Sequence, residues 1–185
     1  MFDNPYYYGR SYHTQPREPT APLRCSYIEI SRMPAISEAI QQSTFESPRQ
    51  QVLINVLYTA GIMKNRTAQA LRPTGITWQQ FNCLRILRGQ RGKPAPVRLI
   101  AERMLDPQSN ASRLVDKLVE KGYVDRTACP GDRRQVNVTL TPEGSAALEQ
   151  LSATVASIHD ELAPGMTDDE LLALSHGLDR FRESQ

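Results

Sequence analysis

Asp132-Arg133-Arg134-Gln135-Val136-Asn137-Val138-Thr139-Leu140-Thr141 decides how this chain is read. A charged tip runs straight into a stretch that puts Val136, Val138 and Leu140 on one side and Asn137, Thr139 and Thr141 on the other. That period of two marks a half-buried strand. The run over residues 123–129 can pair with it antiparallel across the turn-forming Pro130-Gly131. A two-stranded ribbon is marginal in water on its own, so this one must lean on neighbouring helices. Its arginine-bearing tip suits an anionic partner, and a basic hairpin planted behind a helix points to duplex DNA.

Just upstream, residues 97–104 read as a short helix burying Ile100, Ala101 and Met104. Asp106-Pro107 offers a cap and first-turn proline for the next helix, which runs to Lys121 with Leu114, Val115, Leu118 and Val119 inward and Gly122 as its stop. Two short helices, a tight turn and then a hairpin form the order of a winged helix-turn-helix. Gln108, Ser109, Asn110, Ser112 and Arg113 gather in the first turns of the second helix, the end that a recognition helix presents to base edges. Arg113 can fork onto guanine, Gln108 and Asn110 can pair with adenine, and Ser109 and Ser112 suit phosphates. The plainer role for Arg113 is a pair with Asp116 along the helix.

Longer helices flank this lobe. Ser47-Pro48 with Gln50 opens one that continues to about Leu71, apolar at Val52, Val56, Met63 and Ala70 and widened by Leu53, Leu57 and Ala60. It reads as buried on more than one side. Thr77 caps another, residues 78–89, with Phe81, Leu84 and Leu87 at three-residue steps. After the ribbon, Thr141-Pro142 starts a helix whose Leu148, Leu151, Val155, Ile158 and Leu162 follow a heptad spacing, an expected dimer seam. Thr167 and Glu170 make a capping box for the last helix, with Leu171, Leu174, Leu178 and Phe181 inward. Residues 1–45, with Tyr6-Tyr7-Tyr8, Tyr12 and the spaced Pro5, Pro16, Pro19 and Pro22, show no sustained period and are expected to form a disordered tail; Met33 offers an internal start.

The net charge of +2 hides a strong partition. Residues 47–101 hold nine Lys/Arg and no Asp or Glu, and extending the stretch to Arg134 gives 16 basic against 6 acidic residues. From Gln135 onward the balance is 2 basic to 9 acidic. A basic middle supplies phosphate attraction, and the acidic end belongs on the side away from DNA. No apolar run nears the roughly 20 residues of a membrane helix, and no secretory leader is evident, so a cytoplasmic location is expected. Three scattered cysteines with no paired spacing imply neither a disulfide framework nor a zinc site. An enzyme is disfavoured because no nucleophile-base pair, phosphate loop or metal-ligand spacing occurs, and no cofactor is expected.

Several of these motifs, in this order, resemble the MarR family of bacterial winged-helix transcription regulators. The wing meets the family pattern D-x-R-x-x-x-V-x-L-T in full over Asp132 to Thr141. Ile100-Ala101-Glu102-Arg103-Met104, the run from Ser109 to Leu118, Lys121-Gly122-Tyr123-Val124 and Thr141-Pro142-Glu143-Gly144 fit the family's helix-turn-helix and the corners on either side of the ribbon. The resemblance spans about residues 47–183. It implies a mainly α fold with a small two- to three-stranded β-wing, and a homodimer whose terminal helices interleave. The implied layout is a tail over 1–45 and a MarR-like domain over 46–185. Within the domain, residues 76–141 form a DNA-binding lobe, and 47–71 and 142–183 form dimerisation helices. By position, Arg134 is the wing arginine for the minor groove, Asp132 orients it, and Arg133 adjoins on phosphate. The expected partner is a pseudo-palindromic duplex operator, with the chain acting as a repressor relieved by a small ligand.

Effector signals are faint. Asn55, Tyr58, Thr59 and Met63 are candidate lining residues for a ligand pocket, and equally ordinary packing residues. Cys83 sits among Leu84, Ile86 and Leu87 as a buried thiol would, and Cys129 lies near the wing turn. His159, Asp160, Glu161 and His176 do not share a helix face well enough to hold a metal. Two rival functions remain at this level: a winged-helix protein-interaction module without DNA binding, and a redox-sensing regulator that uses a cysteine.

Overall fold

The chain runs α1 (Ile36–Ala39), α2 (Pro48–Leu71), α3 (Trp78–Arg88), β1 (Ala95–Pro96), α4 (Val97–Arg103), α5 (Ala111–Glu120), β2 (Val124–Cys129), β3 (Asp132–Leu140), α6 (Pro142–Asp160) and α7 (Asp168–Glu183). The computed structural model describes residues 34–129 and 132–183, without the side chains of residues 129, 132–135 and 160. The chain divides into two compact units, residues 1–65 and 66–185.

The first unit holds α1 and most of α2. One helical turn, Ile36–Ala39, lies in the stretch expected to lack order. Ser47 Oγ accepts from the Gln50 amide at 3.2 Å, while Gln50 Oε1 accepts from the Glu46 amide at 2.8 Å, one residue upstream of the usual reciprocal bond. The expectation that α2 is buried on more than one side is not met within a single copy. Val52, Leu53 and Tyr58 are more than 40% exposed and Leu57 is 65% exposed. The apolar spacing marks what the helix must cover, and a single copy leaves those faces in water.

In the second unit α3 is the central element. Gln80 through Leu87 are buried without a break, so the whole circumference packs, and not one stripe as the Phe81/Leu84/Leu87 spacing implied. It contacts α4, α5, α6 and β3. Thr77 Oγ1 and Gln80 form a reciprocal capping box at its start. Leu71, Ile76, Phe81, Leu84, Ile100, Val115, Leu118, Val124, Val138 and Leu148 close the core, each buried aliphatic or aromatic side chain contributing about 1.5–3 kcal/mol.

β3 is the middle strand of a three-stranded antiparallel sheet, between β1 and β2. β1 is only Ala95-Pro96, paired to Val138 and Asn137; its proline is tolerated because the strand is an edge. β2 and β3 pair from Val124↔Leu140 out to Cys129↔Asp132, with an irregularity at Ala128/Cys129. The Pro130-Gly131 turn lies outside the described residues.

Two inner-face assignments change. Ala101 on α4 is exposed, as is Val119 on α5, whereas Ala111 is buried. The supposed dimer seam also divides: Leu148, Leu151 and Val155 are at most 4% exposed and belong to the same core as α3. Only Ile158 and Leu162 of that spacing remain half-buried. A heptad pattern records one apolar stripe and is silent on which helix covers it. On α7, Thr167 and Glu170 cap reciprocally, and the bonds that the Thr167 amide and hydroxyl donate to the Glu170 carboxylate hold it below its usual range. Leu171 and Leu174, expected inward, are exposed together with Met166 and Leu172.

Candidate nucleic-acid interface

α5 begins later than Asp106-Pro107 implied. Asp106 instead opens a turn, its Oδ1 accepting from the Gln108 amide at 3.3 Å and its carbonyl from the Ser109 amide at 3.0 Å. Just upstream, the Leu105 amide donates, at 3.0 Å, to Oδ1 of the fully buried Asn82 on α3, which ties this turn to the core. Asn110 is the N-cap, extended in backbone, with Oδ1 accepting from the Arg113 amide at 3.1 Å. Gln108 and Ser109 therefore lie on the turn, and Ser112 and Arg113 in the first helical turn.

Gln108, Asn110, Ser112 and Arg113 are all exposed at this one end. The Ser109 hydroxyl is not: its oxygen is buried and without a hydrogen-bond partner. Asn110 spends its oxygen on the cap, which leaves its amide nitrogen as the group to offer a base edge. Arg113 does not pair with Asp116 as the along-helix alternative had it; Asp116 is bound from β2, where Arg126 Nη1 reaches its Oδ1 at 2.6 Å. Arg98–Glu102, Lys117–Glu120 and Arg182–Asp179 also pair at the surface, each within one helix.

The corner between α5 and the ribbon is tightly specified. Gly122 is left-handed, with φ +71. The Gly122 amide donates to the Val119 carbonyl and the Tyr123 amide to Leu118, a Schellman stop. Thr141, at the far end of the ribbon, closes on the same corner: its amide donates to the Tyr123 carbonyl at 3.1 Å and its hydroxyl to the Gly122 carbonyl at 2.8 Å. The Thr141 hydroxyl also accepts from the Gly144 amide at 2.9 Å and so caps α6. The conjunction of Lys121-Gly122-Tyr123 with Thr141-Pro142-Glu143-Gly144 thus has a physical basis.

Asp132, Arg133 and Arg134 occupy the first positions of β3, and their side chains lie outside the described residues. Asn55, Tyr58 and Thr59 are exposed on α2 and Met63 is half-buried; the Thr59 hydroxyl donates to Asn55 Oδ1 at 3.2 Å. Cys83 is fully buried, and desolvation pushes its thiol up to about 12. His159 and His176 are exposed, and no group of three metal-ligating side chains gathers among the described residues. No helix there is long and apolar enough to cross a membrane.

Sequence reasoning missed Arg126. The signal was partial: alternation puts residue 126 on the face of the buried Val124, opposite the buried Val138, the side of the ribbon turned toward the helices.

A family model described as MarR family matches residues 74–135. The multiple antibiotic resistance protein MarR of Salmonella typhimurium is 36% identical over 113 residues, covering 60% of this chain and 76% of that protein. Among solved structures, a mutant MarR from Escherichia coli complexed with operator DNA superposes with a TM-score of 0.60 at 29% identity, over 69% of this chain and 91% of that one. CouR from Rhodococcus jostii, bound to p-coumaroyl-CoA, has a TM-score of 0.61 at 23% identity over 74% and 95%, a likeness of fold.

Proposed function

This chain belongs to the MarR family of transcription regulators, and from that premise we propose that it is a homodimeric, sequence-specific binder of duplex DNA. The observation that carries this reading is the outer face of α5. Its first turn presents Ser112 and Arg113 to solvent, beside a ribbon whose tip carries Arg133 and Arg134, within the stretch richest in lysine and arginine. A helix N-terminus of this kind reads base edges in a major groove, and a wing arginine suits the enhanced negative potential of a narrow minor groove. The E. coli relative complexed with operator DNA supports a duplex partner.

Residues 76–141 act as the DNA lobe in this reading, and α2, the end of α6 and α7 as the dimer layer. The exposed apolar side chains on α2 and α7 support a second copy as their cover. The chain acts as a repressor, relieved by a small ligand that engages Asn55, Tyr58, Thr59 and Met63. The redox alternative finds no support at Cys83, since a buried, protonated thiol is a poor nucleophile.

Duplexes selected from a random pool by the purified protein, followed by anisotropy titrations across salt, test the reading. Arg134→Ala and Arg113→Ala are each expected to weaken binding by about 1–3 kcal/mol, and Arg134→Ala to lower the salt slope by about one charge. Wild-type binding that ignores salt and sequence overturns the proposal.

A further inference from the structure

The Asp116–Arg126 pair joins α5 to β2. The Arg126 guanidinium spans one turn of the helix, with Nη1 at 2.6 Å from Asp116 Oδ1 and Nη2 at 3.4 Å from the Ser112 carbonyl oxygen. Both side chains stay partly in solvent, 36% and 50% exposed, so the pair adds little to stability. Its place in the sheet is more telling. Arg126 lies opposite Val138, and β1 pairs with β3 only at Val138 and Asn137. From Val136 to the tip, β3 has β2 alone beside it, so Arg126 sits where the ribbon loses its third strand.

We propose that Arg126 is a positioning residue: with Asp116 it fixes the angle between the wing and the outer face of α5, so that both fit one duplex. This rests on the DNA-binding reading above. Arg126 is then committed to the protein and not to a phosphate, and Asp116, although a negative charge on the reading face, favours binding.

The test compares Asp116→Ala, Arg126→Ala and the exchanged chain Asp116→Arg/Arg126→Asp. Affinity for the selected duplex is measured across salt, and amide hydrogen exchange is measured in the full-length protein without DNA. Both single variants are expected to bind about tenfold more weakly, or worse, with an unchanged salt slope, and the exchange to recover part of the loss. Exchange over the 124–140 segment should rise severalfold in both, with α3 unchanged. Tighter binding by Asp116→Ala, together with a salt slope lowered by about 0.9 in Arg126→Ala, would place Arg126 on a phosphate and overturn the proposal. Unchanged wing exchange in both single variants overturns it equally. If the wild type binds no duplex in a salt-dependent way, the DNA reading fails by itself, and the exchange measurement still decides whether the pair holds the wing.

Discussion

Replacing Gly144 by alanine tests the corner on which the lobe is built. A Cβ there would stand 2.0 Å from the Tyr123 carbonyl oxygen and 2.8 Å from its carbon, both backbone atoms. Ordinary contact begins at 3.4 Å, so well over an ångström must open between α6 and the α5–β2 corner. Overpacking of this kind costs about 1–3 kcal/mol. The opening also strains the hydrogen bonds from Thr141 to Tyr123 and Gly122, each worth about 0.5–1.5 kcal/mol. Alanine's better helix propensity returns at most about 1 kcal/mol. The expected net loss is about 2–4 kcal/mol, a fall in Tm on the order of 10 °C for a chain of this size. Gly177→Ala is the control: nothing lies within 4 Å of its Cβ position, so it should be neutral or gain up to about 1 kcal/mol. Both are compared with wild type by thermal and urea unfolding at one protein concentration, since a dimer's melting depends on it. A Gly144→Ala protein that melts with or above the wild type refutes the reasoning.

Two further perturbations separate the core of the lobe from the dimer layer. Leu151→Glu puts a carboxylate into the α3–α6 core and should unfold the lobe, whereas Leu174→Glu on exposed α7 should leave a folded monomer; sedimentation with circular dichroism distinguishes them, and a folded Leu151→Glu dimer contradicts the packing. Cys83 gives a pH signature. Its thiol stays protonated in the folded chain up to about 12, from an ordinary 9.0. The stabilisation is therefore complete below pH 9 and declines as pH rises through that window, because the unfolded chain ionises first. Urea midpoints in Cys83→Ala should show a shallower alkaline decline than wild type, and equal slopes would contradict the burial.

The ribbon, the order of the helices and most caps were legible because they rest on local rules: alternation, Thr and Ser caps, and glycine stops. What was not legible depends on partners distant in sequence. The start of α5 falls at Asn110 and not at Asp106: Asp106 closes a turn of its own, and Leu105 beside it is tied by its amide to Asn82, 23 residues earlier. Leu148, Leu151 and Val155 have the spacing of a dimer seam, and only the packing of α6 on α3 shows that they belong to the lobe. Within the candidate site, Ser112 and Arg113 stand where their spacing put them. The inward-turned Ser109 hydroxyl and the tie from Arg126 to Asp116 needed three dimensions.

The hydrogen bonds from Thr141 to Gly122 and Tyr123 also bear on how such a protein can diverge. The chain enters the ribbon at Gly122-Tyr123 and leaves it at Thr141, and the two ends are fastened to each other. Val124 and Val138 keep the base of the ribbon in the core, and the part beyond them is an outgrowth whose root is sealed. Lengthening or recharging its outer end changes how far the wing reaches and what it meets there, without asking the core to adjust. New target preferences can therefore accumulate at the tip one substitution at a time, at little risk to the fold that carries them.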